Sequence, residues 1–80
     1  MAYYVYIIQS LKDASYYIGV TVNLKRRISE HNNGSAKYSK SKMPYRLIWF
    51  SGFRNKIKAL AFEKYLKSSS GFAFRNKRLI

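Results

Sequence analysis

The chain has 80 residues, no cysteine, and sixteen Lys and Arg against three Asp and Glu, a formal net charge of +13. That length holds at most one domain with a thin core, and the lack of cysteine excludes disulfide bracing and a thiolate zinc site. The charge attracts polyanions, and nucleic acid comes ahead of an anionic membrane because the basic residues are spread along the chain without a polybasic block beside an apolar anchor.

No apolar run approaches the ~20 residues of a transmembrane helix. The start, residues 1–10, is apolar but lacks a basic n-region and a small-residue cleavage site, so it reads as a strand and the protein as cytoplasmic. Residues 3–9 (YYVYIIQ) are β-branched and aromatic, which favours a first strand. Residues 10–15 are turn-like, and residues 16–20 (YYIGV) form a second strand, antiparallel to the first because the link is short. A turn centred between Leu11 and Lys12 predicts Tyr6 directly opposite Tyr17, with both rings on one face.

Asn23 is a good helix N-cap and Gly34 a good residue to end that helix. Between them Leu24 and Ile28 mark an apolar stripe. Residues 33–44 read as a basic loop closed by Pro44, and residues 45–53 (YRLIWFSGF) as a third strand. Asn55 caps a second helix through about Ser68. Ser70 or Gly71 opens a last short helix ending at Ile80. The order is β-β-α-β-α-α in one domain spanning residues 1–80, with no internal repeat.

Few side chains suit chemistry. Asp13 lies in the hairpin turn, where local hydrogen bonding explains an Asp. Glu30 falls about 120° from Leu24, an ordinary solvated position. Glu63 stands among apolar neighbours as the only carboxylate after residue 30. It suits either a surface pair with Lys67 or a ligand for a hard divalent cation, which needs a carboxylate oxygen. Arg27 lies on the flank of the apolar stripe, while Arg26 points to solvent. His31, one turn after Arg27, reads first as a hydrogen-bonded core residue. On strand pattern alone Tyr6 and Tyr17 read as packing. Gly19 leaves room for another backbone or a phosphate to approach.

Taken together these residues resemble the GIY-YIG nuclease superfamily. The first half-motif stands as Tyr4-Val5-Tyr6, with Tyr4 where the family name has Gly, and the second as Tyr17-Ile18-Gly19. Arg27 follows Tyr17 by ten residues, and Glu63 stands on a later helix. The chain looks most like small stand-alone members related to the N-terminal nuclease domain of the bacterial excinuclease. The resemblance implies an α+β fold, a three-stranded antiparallel sheet flanked by helices. It also implies a structure-directed endonuclease of DNA repair or processing, hydrolysing a DNA phosphodiester with one Mg²⁺ or Mn²⁺ held by Glu63. Arg27 would hold the scissile phosphate. Tyr17, or Tyr6 through a water, would orient or deprotonate the nucleophile, and His31 would share the proton transfer. Gly19, Arg26, Lys37, Lys40, Lys42 and Asn76 are the expected DNA contacts, Asn76 being the nearest candidate for an Asn that some members carry near the domain end. RNA is the alternative polymer. The competing readings are a non-catalytic nucleic-acid-binding module and a structural component of a ribonucleoprotein particle. Binding alone does not need Glu63 in so basic a chain, and for the structural component metal would not matter.

Overall fold

The computed structural model describes residues 1–37 and 39–79, Phe72 by its backbone alone. Strands β1 (Tyr3–Ser10), β2 (Tyr16–Thr21) and β3 (Tyr45–Phe53) form one antiparallel sheet in the order β2-β1-β3. Helix α1 (Leu24–Asn33) and a 3-10 turn (Lys40–Lys42) come before β3, and helices α2 (Lys56–Lys67) and α3 (Ser69–Arg78) after it. This is the expected α+β order. None of the helices is long and apolar enough to cross a membrane, among the described residues.

The central position of β1 explains its unbroken apolar run. Val5, Tyr6, Ile7 and Ile8 are all buried, because both faces of the strand are covered. Val5 and Ile7 pack with Ile18 against Ala59 and Leu66 of α2. Tyr6 and Ile8 pack with Tyr45, Tyr17, Leu24 and Ile28 on the α1 face. Each fully buried aliphatic side chain of this kind contributes about 1.5–3 kcal/mol. A bulge between Ile7 and Ile8 in the pairing with β3 shifts the register by one residue.

The helix ends follow their capping residues. The Asn23 side chain accepts from the Arg26 backbone N–H, Gly34 takes φ 84°, and the Asn55 side chain accepts from the Lys58 N–H. The last helix starts earlier than expected. Ser68 caps it by accepting from the Gly71 N–H while its own N–H closes the end of α2, so one serine serves both helices. The expected end at Ile80 lies outside the described residues.

The hairpin register differs from the sequence expectation by two residues. Tyr6 pairs with Gly19, and Tyr17 pairs with Ile8. The turn is wider than assumed because the Ser10 hydroxyl accepts from both the Lys12 and Asp13 N–H groups, and Ala14 adopts φ 64°. A two-residue shift preserves side-chain direction, so both tyrosines still face α1.

Candidate active site

Tyr6 comes from the central strand, with only 1% of its surface exposed. Its ring lies over Gly19, where a Cβ would come 2.4 Å from the phenol oxygen. The space that the sequence offered to a phosphate at Gly19 is therefore filled by Tyr6, and Gly19 is a spacer, not a phosphate contact. The Tyr6 hydroxyl lies 2.9 Å from His31 Nε2.

His31, the single histidine, is fully buried. Its Nδ1 meets Ser39 Oγ, which donates to the Ala36 carbonyl. Ser39 thus accepts from Nδ1–H, which leaves Nε2 as the acceptor of the Tyr6 hydroxyl proton. The rings of Tyr6, Tyr17 and Tyr45 surround the imidazole at 5.8, 4.8 and 5.7 Å. Burial lowers the imidazole pKa, and the charge of Arg27 lowers it further. His31 is a neutral core residue holding the Tyr6 hydroxyl, walled off from solvent. The sequence expectation that it shares in proton transfer thus narrows to a partner one step behind a phenol.

Arg27 lies on α1 beside Tyr6. Burial pushes the Tyr6 phenol up to about 12, although the adjacent Arg27 favours its anion; Tyr17 and Glu63 act in the same direction as burial. Groups from β2, α1 and α2 thus all lie within electrostatic reach of the Tyr6 phenol on β1. This convergence is possible because β2 is the outer strand. Among the described residues no further strand lies beyond its free edge to separate the α1 layer from the α2 layer.

Glu63 projects from α2 with its side chain 21% exposed, and its Oε2 accepts from Lys67 Nζ at 3.2 Å. The surface pair considered from sequence is thus present, and it is compatible with the second reading. A paired, partly exposed carboxylate can exchange one cation for another. Asp13 is engaged by Lys42, and Glu30 by Arg27 at 3.0 Å and Arg26 at 3.8 Å. Glu30 is therefore less free than its sequence position suggested, and it holds the Arg27 guanidinium in place. Among the described residues no group of three His, Cys, Asp or Glu could hold a metal. One carboxylate fits Mg²⁺, which keeps most of its waters, better than ions that need a full protein cage.

The other expected DNA contacts are dispersed. Arg26 is exposed on α1, and Lys37 and Lys40 are exposed in the loop that Ser39 ties to His31. Lys42 is committed in part to Asp13, at 3.2 Å. Asn76 is exposed on α3, and its neighbour Arg75 instead lines a cleft of about 280 Å³ with Tyr16, Tyr17, Ile18 and Lys67. Sequence reasoning missed Arg75, Ser39 and Tyr45, because no local pattern separates them from surface cations and packing residues, and it read Lys67 only as the partner of Glu63. A larger hollow of about 610 Å³ lies between Tyr4, Leu24, Ile28, Leu47 and Phe50. None of Tyr6, Tyr17, Arg27 and Glu63 lines it, whereas Tyr17 lines the smaller cleft.

Residues 2–78 match the family described as the GIY-YIG catalytic domain. A UPF0213 protein of Clostridium perfringens is 44% identical over 77 residues, covering 95% of this chain and 77% of that protein. A UPF0213 protein of Streptococcus pneumoniae is 42% identical over 65 residues, which cover 80% of this chain but only 65% of the relative's length. The solution NMR structure of a UPF0213 protein from Bacillus halodurans superposes with a TM-score of 0.59 at 34% identity, covering 99% of this chain and 87% of that one.

Proposed function

The chain belongs to the GIY-YIG nuclease family, and from that premise we propose that it is a structure-directed, metal-dependent endonuclease hydrolysing DNA phosphodiesters in DNA repair or processing. The observation that supports this reading is the convergence of Tyr17, Arg27 and Glu63 on the Tyr6 phenol. Packing alone gives no reason to bring a carboxylate and a guanidinium to the same buried phenol.

The roles follow from burial. Tyr6 is enclosed and its hydroxyl proton is directed at His31, so it positions Arg27 and does not meet the substrate. Tyr17 lines the open cleft, so its phenol orients the attacking water. Arg27, held by Glu30, presents its planar fork to the scissile phosphate and offsets the charge that grows there in the transition state. Glu63 would hold one Mg²⁺ or Mn²⁺, which would supply charge stabilisation at the leaving oxygen. Lys37 and Lys40 reach flanking phosphates from the loop. The proposed location is cytoplasmic.

The test is incubation with nicked, flapped and branched DNA, and with the matching RNAs, in Mg²⁺ or in chelator. Mg²⁺-dependent cleavage of DNA is the expected result. Binding of every substrate with no cleavage under any condition would leave a binding module in place of the nuclease.

A further inference from the structure

The cleft beside Tyr17 carries two cations that the proposed cleavage step does not use. Its walls are Tyr16, Tyr17 and Ile18 of β2, Lys67 at the end of α2, and Arg75 of α3. Among the described residues two cations and two phenol rings line it, and no carboxylate does. That combination suits an anion with an apolar flank.

Three features place the cations together. A Cβ on Gly71 would collide with the Tyr65 carbonyl, 1.7 Å away, so only glycine lets α3 close against the end of α2. Arg75 follows Gly71 by one turn, and its guanidinium carbon lies 5.4 Å from the centre of the Tyr16 ring. The ring contact presets the plane of the guanidinium, which favours a forked grip on phosphate. Lys67 pairs with Glu63 one turn earlier on the same helix. Its ammonium therefore stands at the boundary between the cleft and the carboxylate, within reach of both.

We propose that this cleft is a subsite for the backbone phosphate next to the scissile one, gripped by Lys67 and Arg75, with the adjoining sugar or base against Tyr16. It rests on the nuclease reading for which phosphate is cut.

The test is an NMR titration of the ¹⁵N-labelled chain, in chelator, with the trinucleotide TpTpT and with its neutral methylphosphonate counterpart. TpTpT should shift the amides of Tyr16, Lys67 and Arg75 together with those around Arg27, and the neutral strand should shift neither set. Lys67→Gln should weaken the cleft response about tenfold, as expected for one charge-assisted hydrogen bond, and leave the Arg27 response in place. Arg75→Lys keeps the charge and guards against misfolding, and it should weaken the cleft response while the spectrum stays native. Shifts around Arg27 without any in the cleft overturn the subsite alone. Shifts in the cleft without any around Arg27 support the subsite and count against Arg27 as the phosphate clamp. Equal responses to the charged and neutral strands overturn the subsite.

Discussion

The phenol of Tyr6 occupies the volume that a side chain on Gly19 would fill, with 2.4 Å between its oxygen and an added Cβ. The two residues are directly paired across β1 and β2. The glycine of the second half-motif is thus explained by the tyrosine of the first. Gly19→Ala must displace a ring pinned between His31 and Arg27, and overpacking of this kind costs about 1–3 kcal/mol. Urea denaturation should show that loss, and cleavage should fall with it because Arg27 loses its backing. An alanine variant of native stability would mean that the ring has room to move.

Glu63→Gln keeps the shape of the side chain and removes its charge. Cleavage in Mg²⁺ should collapse, while the fold is kept, since the Lys67 pair is partly exposed and such pairs contribute at most about 1 kcal/mol. DNA binding measured by anisotropy should hold or tighten, because a negative charge beside the phosphate is gone and Lys67 is released. Full Mg²⁺-dependent turnover in this variant would remove Glu63 from the site.

Local signals made much of the fold legible, and long-range ones limited the rest. Asn23, Gly34 and Asn55 act within a turn of themselves, so their helix boundaries could be read directly. The β3 limits, Tyr45–Phe53, followed from Pro44 and an aromatic run. The register did not, because a serine hydroxyl widening the hairpin turn leaves no mark on apolar alternation. For the same reason Ser39, Tyr45 and Arg75 stayed hidden, since their significance comes from partners far away in the chain. The sequence placed Arg27 and Glu63 on separate helices, but the free edge of β2 where their fields meet Tyr6 was visible only in the strand order.

Arg27 and Arg26 are adjacent, share Glu30, and differ in exposure, 35% against 67%. Arg27→Lys retains the charge but loses the planar fork, and kcat should drop about 10²-fold, in the range for losing one transition-state donor. Arg26→Lys should be nearly silent in kcat. Equal losses at the two positions would show that the charge acts diffusely, through the general field of the +13 chain.

The two tyrosines should separate stability from rate. The Tyr17 hydroxyl makes no hydrogen bond among the described residues, whereas the Tyr6 hydroxyl binds His31. Tyr6→Phe leaves a buried imidazole nitrogen without its donor, at a cost of about 1–3 kcal/mol. Tyr17→Phe should leave the unfolding midpoint unchanged and slow single-turnover cleavage by about 10²-fold or more. Unchanged cleavage in Tyr17→Phe would exclude its phenol from the mechanism.

His31 ties the site to pH through the fold. Burial, then the charge of Arg27, hold its imidazole below the ordinary 6.5, outweighing the opposite pull of Glu30. The unfolded chain therefore takes up a proton near pH 6.5 that the folded chain still refuses. The stabilisation is fully present above that pH and is lost as pH falls from there through the folded-state value. A protonated Nε2 can no longer accept from the Tyr6 hydroxyl, so the support behind Arg27 goes at the same time. The urea midpoint should hold steady above about pH 7 and decline below about 6.5, before most carboxylates titrate. In His31→Gln that decline should flatten, and NMR of the imidazole protons should give a titration midpoint below 6.5. An imidazole titrating at or above its ordinary value, or a fold that gains stability on mild acidification, would mean that this histidine is charged in the native state and that Tyr6 is held some other way.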